Sequence, residues 1–109
     1  MKLLSRPEEI FLLAIWKQQQ HAYAVTIQEQ VKKMTGKKWS FGAVFITLDR
    51  LSKKKLVHSW LSNPIKKRGG RSKRMYSLTP TGRKELLAIR KLQNSIWTDI
   101  PELSLDSKR

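Results

Sequence analysis

The segment Lys66–Arg74 reads KKRGGRSKR, with six cations in nine residues around a Gly-Gly pair. Two short stretches rich in β-branched and aromatic residues flank it, LVHSWLS at 56–62 and RMYSL at 74–78. Such stretches on either side of a polar, glycine-containing loop predict a two-stranded ribbon. The basic run then lies at the tip of a hairpin, where like charges repel each other unless an anion lies close by.

Two helices are predicted before this ribbon in the first third of the chain. Pro7–Gln19 has apolar residues at helical spacing, and Ser5 is in the position of an N-cap. The second helix is predicted to begin at Thr26, because Thr26 and Glu29 have the T-x-x-E spacing of a capping box. Gly36 is predicted to end it.

Ser40 is the predicted N-cap of a third helix. The predicted core-facing stripe of that helix consists of Phe41, Val44, Leu48 and Leu51. The residues predicted on its outward face are Gly42, Phe45, Ile46, Asp49 and Lys53. Only Asp49, Arg50 and Lys53 can hydrogen-bond to bases or phosphates there, so base recognition through hydrogen bonds is expected to be weak.

A fourth helix is predicted after the ribbon. Thr79 and Pro80 have the chemistry of an N-cap and a first helical residue, and Pro101 is predicted to end the helix. Its apolar residues offer more surface than a lone terminal helix needs, which predicts a homodimer. The predicted dimerisation residues are Leu86, Ile89, Leu92, Gln93, Ile96 and Trp97.

The order of three helices, a hairpin and a last helix predicts a mainly α fold with a small β-ribbon. This is a winged helix-turn-helix with a three-helix core, a two-stranded wing and a C-terminal dimerisation helix. The predicted boundaries are 1–79 for the DNA-binding domain, 80–101 for the dimerisation helix and 102–109 for a flexible tail. A length of 109 residues with 39% hydrophobic content suits one modest core.

Composition restricts the function further. The net charge of +15, from 23 Lys+Arg against 8 Asp+Glu, predicts a polyanionic partner. The sequence has no cysteine, and His21 and His58 lie far apart, so neither a metal site nor a cofactor is predicted. No catalytic motif occurs, and the pair Glu8 and Glu9 is typical of the first turn of a helix, so an enzyme is not expected. No apolar stretch is long enough to span a bilayer, which predicts a cytoplasmic, nucleoid-associated protein.

Double-stranded DNA is the predicted partner. The predicted contacts in and before the third helix are Lys38, Ser40, Gly42, Ala43, Phe45, Ile46, Asp49, Arg50 and Lys53. The predicted contacts in the hairpin are Lys66, Lys67, Arg68, Gly69, Gly70, Arg71 and Lys73. Gly42 and Ala43 leave the helix N-terminus open to a phosphate. Contacts with the backbone are therefore expected to dominate over direct base recognition.

The aromatic residues allow more than one interpretation, as core residues, as a site for an effector or as a surface for RNA bases. Trp16, Trp39 and Trp60 are predicted to anchor the core. Trp97 either packs in the fourth helix or stacks on a small aromatic effector. RNA is the alternative nucleic acid, and Phe45 and Tyr76 are the candidates for stacking on its bases. A nonspecific nucleic-acid binder and a protein adaptor that uses the fourth helix are the remaining alternatives.

The chain also resembles the PadR family of transcriptional regulators. The matching blocks are L-S-R-x-E-E-x-x-L-L-x-I-W at Leu4–Trp16, A-Y-x-V-x-I at Ala22–Ile27, W-S-F-G-x-V-x-x-T-L-x-R-L at Trp39–Leu51 and R-G-G-R-x-K-R-x-Y-x-L-T-P-x-G at Arg68–Gly82. The resemblance implies a bacterial dimeric repressor with its third helix in the major groove, its wing on the backbone or minor groove, and its fourth helix between subunits. The chain departs from the family at Phe45, where Tyr is usual, and at Lys55, where Gly is common.

Overall fold

A computed structural model describes residues 3–62 and 72–105. Its elements are α1 (Arg6–Gln18), a 3₁₀ turn (Gln19–His21), α2 (Ala24–Thr35), α3 (Phe41–Lys53), β1 (Val57–Leu61), β2 (Arg74–Leu78) and α4 (Pro80–Ile96). This order confirms the predicted mainly helical fold with a two-stranded antiparallel wing. The helix α4 ends at Ile96 and not at Pro101, because a turn begins at Trp97.

The start of α1 confirms Ser5 as its N-cap. The Ser5 hydroxyl oxygen accepts a hydrogen bond from the backbone N–H of Glu8 at 3.2 Å. The Glu8 carboxylate accepts from the backbone N–H of Ser5 at 2.8 Å, which completes a capping box. Glu8 is nevertheless almost fully buried, so it does more than supply a negative charge to the first turn.

The predicted capping box at the start of α2 is wrong. The helix begins at Ala24, two residues before Thr26, and Glu29 is exposed. The Thr26 hydroxyl oxygen accepts from the backbone N–H of Tyr23 at 3.0 Å and donates to the carbonyl of His21 at 3.1 Å. In a capping box the side chain of the third helical residue, usually Glu or Gln, accepts a hydrogen bond from the backbone N–H of the N-cap. Here the Thr26 hydroxyl has this role, and Tyr23 is the N-cap.

One hydrophobic core lies among α1, α2 and α3 and extends to the wing and α4. Its largest fully buried apolar side chains are Phe11, Leu12, Ile15, Ile27, Val31, Val44, Leu48 and Leu51. Phe41 was predicted on the core side of α3, but it is 44% exposed. It is the first residue of the helix, and its ring lies 6.4 Å from that of Phe45 between centroids.

The connection from α3 to the wing has a left-handed residue. Lys55 has φ of +59°, the conformation for which glycine is preferred. Its backbone N–H donates to the carbonyl of Ser52 at 3.0 Å, and that of Leu56 donates to the carbonyl of Leu51 at 3.0 Å. A lysine in this position costs about 1 kcal/mol relative to glycine. The left-handed conformation is therefore kept at the end of α3 although Lys55 stands where the family commonly has Gly.

The wing is attached to the corner between α1 and α2. The two strands pair antiparallel, from Val57 opposite Leu78 to Leu61 opposite Arg74. The backbone N–H of Tyr76 donates to the carbonyl of Ala22 at 2.9 Å, and Tyr23 forms a β-bridge with Met75. Ala22 and Tyr23, which follow the 3₁₀ turn, thus attach β2 to the helical core and fix the direction of the wing.

The N-terminus of α4 is clamped to the connection after α3. Thr79 is the N-cap and accepts from the backbone N–H of Gly82 at 3.0 Å, which confirms the predicted start. The Thr79 hydroxyl also donates to the carbonyl of Lys55 at 2.8 Å, and the Thr79 backbone N–H donates to the carbonyl of Leu56 at 3.0 Å. Gly82 lies so close to Leu56 that a Cβ at position 82 would be 2.1 Å from its carbonyl oxygen.

Candidate nucleic-acid interface

The N-terminal turn of α3 is capped and open to solvent. The Ser40 hydroxyl oxygen accepts from the backbone N–H of Ala43 at 3.1 Å, which confirms Ser40 as the N-cap. Phe41 and Gly42 are exposed, and a Cβ at Gly42 would meet only the Ser40 hydroxyl, at 3.9 Å. The predicted access of a phosphate to this helix end is therefore sterically available.

All five residues predicted on the outward face of α3 are exposed: Gly42, Phe45, Ile46, Asp49 and Lys53. Arg50 is exposed as well. The Asp49 carboxylate lies 3.0 Å from the ammonium group of Lys53, one turn further along the helix. This pairing balances a negative charge that would otherwise repel phosphate. That these side chains contact DNA remains a prediction.

The turn between α2 and α3 is held by a buried residue that the sequence analysis did not identify. The side-chain amide of Gln28 donates to the carbonyl of Trp39 at 2.6 Å, and Gln28 is almost fully buried. The Trp39 ring packs edge-on against Phe11, with centroids 5.2 Å apart. Lys38, a predicted DNA contact, is exposed next to Trp39. The entry into α3 is thereby fixed against the core.

The base of the wing places one predicted cation on an aromatic ring. The Lys73 ammonium group lies 4.3 Å from the centroid of Tyr23 and 3.2 Å from its hydroxyl oxygen. Ser62 and Lys73 continue the strand pairing, with Ser62 N–H donating to the Lys73 carbonyl at 2.8 Å. The other predicted wing contacts lie outside the described residues: Lys66, Lys67, Arg68, Gly69, Gly70 and Arg71.

Ion pairs neutralise only a few of the cations in residues 3–62 and 72–105. In the described part of the chain, ion pairs join Arg6 to Glu9, Lys53 to Asp49 and Lys54 to Glu8. The whole sequence has 23 Lys and Arg residues and only 8 acids. Most of the positive charge is therefore left for an external polyanion.

Tyr76 was a candidate platform for an RNA base, and this prediction is wrong. Its side chain is 7% exposed and belongs to the core. Burial raises the pKa of its phenol above the ordinary value. The charge of Arg74 lowers this pKa and the charge of Asp49 raises it, but burial has the largest effect. Of the two aromatic candidates for stacking, only Phe45 is accessible, at 53% exposure.

The tryptophans divide between core and surface. Trp39 packs on the core, and the partly buried Trp60 stacks on His58 with centroids 5.6 Å apart. Trp16 was predicted to anchor the core, but it is 45% exposed and lines a groove between α1 and α4. Trp97 is 61% exposed at the end of α4. Whether Trp97 serves packing or an effector stays a prediction.

Trp16 forms part of an apolar groove between α1 and α4. The groove has a volume of about 280 Å³, and its walls include Leu13, Trp16, Leu78, Arg83, Leu87 and Arg90. The Arg83 guanidinium lies 5.9 Å from the centroid of Trp16. The three-residue spacing of Leu13 and Trp16 was the available sequence signal for a second apolar face on α1.

Two of the predicted dimerisation residues serve the chain's own core. Leu86 and Ile89 are buried against it, so they have little surface to offer a partner. The side chain of Gln93 donates to both carboxylate oxygens of Glu9 at 3.2 Å and thus ties α4 to α1. Leu92 is partly buried, and the last two predicted residues, Ile96 and Trp97, are exposed.

A presented helix with a capped, open N-terminus and a strand pair anchored beside it define the class of DNA-binding winged helix-turn-helix proteins. The sequence model of the Transcriptional regulator PadR-like family matches residues 12–88. The chain belongs to this family of DNA-binding transcriptional regulators, which are not enzymes. Among residues 3–62 and 72–105, no helix is both long enough and apolar enough to cross a membrane.

Solved structures share this fold. A PadR family transcription regulator from Clostridium difficile R20291 is 25% identical, with a TM-score of 0.68 over 82% of this chain and 88% of that one. RosR of H. salinarum is 19% identical, with a TM-score of 0.69 over 90% and 81%. BpsR of Bordetella bronchiseptica, whose DNA binding is regulated by 6-hydroxynicotinic acid, is 19% identical, with a TM-score of 0.61 over 90% and 68%. No curated protein matches this sequence.

Proposed function

We propose that this protein is a cytoplasmic, nucleoid-associated repressor that binds a specific double-stranded operator as a homodimer. The observation that carries the proposal is the outward face of α3, whose five residues are all exposed and which follows a capped, unobstructed helix start. In this proposal α3 enters the major groove, and the basic wing contacts the backbone or the minor groove.

The wing is anchored to the helical core, which supports the proposal that it positions the protein on the DNA backbone. The bonds of Tyr76 to Ala22 and of Tyr23 to Met75 tie the strand pair to the helical core. Lys73, directly before the second strand of this pair, is thus held in a fixed position relative to the helical core. Contacts of this kind contribute affinity through counterion release and little sequence preference.

Neutralising the wing cations Arg68, Arg71 and Lys73 with Gln is expected to weaken binding to all duplexes alike. Each lost phosphate contact flattens the dependence of log K on log salt by about one unit. Fluorescence anisotropy between low and moderate salt measures the slope. A variant with Lys17, Lys84 and Lys91 replaced by Gln, on exposed surfaces of α1 and α4, removes the same number of charges and is the matched control. An altered sequence preference at an unchanged salt slope contradicts the proposed role of the wing.

The groove between α1 and α4 supports the proposed homodimer. Leu13, Trp16 and Leu87 expose apolar surface on two adjacent helices, and Ile96 and Trp97 expose more of it at the end of α4. A second copy of the same helices offers a surface of matching chemistry around a twofold axis. Dimerisation then spaces two α3 helices for the two halves of an operator.

Replacing Leu87 with Glu is expected to give a monomer at tens of micromolar. Leu87 is exposed in the single chain, so the charge does not unfold it but cannot be buried in a dimer. Sedimentation equilibrium measures the state, and Ala88→Glu, on an exposed neighbour that does not line the groove, is the control. A native chain that sediments as a monomer at this concentration contradicts the homodimer.

A small planar aromatic effector is part of the proposal. The exposed indoles of Trp16 and Trp97 offer stacking surfaces, and Arg83 beside Trp16 offers a charge for an acidic ring substituent. BpsR shows regulation of this kind in a structural neighbour. Titration of the bound protein–DNA complex with aromatic acids is expected to quench tryptophan fluorescence and to release DNA together. Quenching without release contradicts a regulatory role.

Double-stranded DNA is favoured over RNA, because the burial of Tyr76 removes one of two predicted stacking platforms. Selection of bound fragments from genomic DNA, with structured RNA as competitor, is the decisive experiment. Recovery of a common duplex sequence supports the proposal. Equal affinity for the recovered duplex, random duplex and RNA reduces the protein to a nonspecific binder.

A further inference from the structure

The outward face of α3 exposes large apolar side chains at the point where a DNA-binding helix usually carries polar ones. Phe41, Phe45 and Ile46 are 44%, 53% and 62% exposed. They occupy the first two turns of the helix, and none of them packs into the hydrophobic core. A solvated face has no use for three such side chains within six residues, so their exposure points to a ligand with apolar groups.

The two rings form a preorganised surface. Their centroids are 6.4 Å apart and their planes are tilted by 33°, so Phe41 and Phe45 contact each other along one side of α3. Ile46 follows directly in sequence and extends this apolar surface around the helix. The two rings and Ile46 therefore offer one continuous apolar surface to a ligand.

The hydrogen-bonding side chains on the exposed side of α3 lie beyond its first two turns. Asp49 lies in the third turn, where its carboxylate is 3.0 Å from the ammonium group of Lys53 in an exposed ion pair. On the exposed side of α3, hydrogen-bonding side chains begin in the third turn with Asp49 and Arg50, because Thr47 in the second turn is buried and donates to the carbonyl of Ala43. The first two turns, which enter a major groove most deeply in helix-turn-helix proteins, are apolar.

The major groove has one apolar group on its base edges, the 5-methyl group of thymine. We propose that Phe45 and Ile46, with Phe41 beside them, select the operator by contact with thymine 5-methyl groups. This inference rests on the proposed function and adds the chemical feature of DNA that α3 recognises. It assigns sequence choice to apolar contact and leaves the Asp49–Lys53 pair and the wing to position the duplex.

Uracil in place of thymine tests the proposal, because it removes the methyl group and keeps the base pair and its charge. The probe is the duplex recovered from the genomic selection, synthesised once with thymidine and once with deoxyuridine. Affinity is expected to fall roughly three- to fourfold for each contacted methyl group, and in both halves of the operator. Substitution position by position locates these groups, which we expect to cluster in the major groove facing α3.

Side-chain variants connect the methyl groups to the residues. Phe45→Ala and Ile46→Ala are expected to lower affinity for the thymidine duplex and to leave affinity for the deoxyuridine duplex nearly unchanged, so the ratio of the two approaches one. Leu103→Ala, which truncates an exposed apolar residue after α4, is the control and keeps the native ratio. Circular dichroism shows whether each variant is folded.

The outcomes separate this inference from the proposed function. A recovered duplex that binds equally well with uracil overturns the role of the methyl groups and leaves sequence-specific binding intact. A methyl-dependent loss that persists unchanged in Phe45→Ala and Ile46→Ala overturns the assignment to these residues. A selection that recovers no preferred duplex overturns both.

Discussion

Replacing Gly82 with Ala is expected to destabilise the protein by about 3 kcal/mol, because overpacking against a backbone atom cannot be relieved by a side-chain movement. The added Cβ would lie 2.1 Å from the carbonyl oxygen of Leu56 and 3.1 Å from its carbonyl carbon. To avoid this contact, the first turn of α4 must move away from the connection after α3. That movement also stretches the bonds of Thr79 to Lys55 and Leu56.

Gly42→Ala is the matched control, since Gly42 is also in the first turn of a helix. Its added Cβ meets only the Ser40 hydroxyl, at 3.9 Å, and alanine is favoured over glycine in a helix by up to about 1 kcal/mol. Urea unfolding of both variants is therefore expected to shift in opposite directions. An unchanged midpoint for Gly82→Ala contradicts the close packing of α4 on Leu56. Weaker DNA binding by the well-folded Gly42→Ala variant supports the approach of a phosphate to α3.

The sequence predicts helix ends well where the signal is local. Ser5, Ser40 and Thr79 each accept a hydrogen bond from a backbone N–H three residues later. Gly36 adopts a φ of +77° at the end of α2. These interactions depend on a few neighbouring residues, so they can be recognised without knowing the tertiary structure. Thr26 is the exception. Its hydroxyl was predicted to bond to a backbone N–H later in the chain, but it bonds to the backbone of His21 and Tyr23, which precede it.

The wrong predictions concern contacts between distant segments. Periodicity shows that Trp16 lies on a helix, but not which side of α1 meets the other helices. Tyr76 follows basic residues in the sequence, yet its side chain turns into the core because β2 packs on the corner at Ala22. Gln28 is polar and was not predicted to be buried, since its partner, the Trp39 carbonyl, lies eleven residues away.

In the candidate interface, too, features set by neighbouring residues can be predicted from the sequence, whereas contacts between distant residues cannot. The exposure of Phe45 and Ile46 follows from helical spacing once Leu48 and Leu51 are placed in the core. The pairing of Asp49 with Lys53 also has a recognisable i, i+4 spacing, although it was not predicted. By contrast, the placement of Lys73 on Tyr23 joins residues fifty positions apart, and only the fold brings them together.

An ion pair between the buried carboxylate of Glu8 and the partly exposed side chain of Lys54 connects the start of α1 to the end of α3. The Glu8 carboxylate accepts hydrogen bonds from the ammonium group of Lys54 and the backbone N–H of Ser5, and its side chain is 2% exposed. Burial alone raises the pKa of this carboxyl. The hydrogen bonds from Lys54 and Ser5, with the charge of Lys54, outweigh burial and hold the pKa of Glu8 below its ordinary value. The contribution of Glu8 to stability is therefore present at neutral pH and is lost as the pH falls through its lowered pKa.

Lys54→Met is expected to lower the free energy of unfolding at neutral pH by about 3 kcal/mol, because it leaves the Glu8 carboxylate buried without its counter-charge. Burial then dominates, and the pKa of Glu8 rises above its ordinary value. Protonation removes the unpaired charge, so the difference from the native protein is expected to shrink as the pH falls through this raised pKa. Urea unfolding over a series of pH values measures both effects. Lys53→Met is the control, since its exposed pair with Asp49 contributes less than about 1 kcal/mol. A loss that is the same for both variants, or independent of pH for Lys54→Met, contradicts a charge-dependent link between α1 and α3.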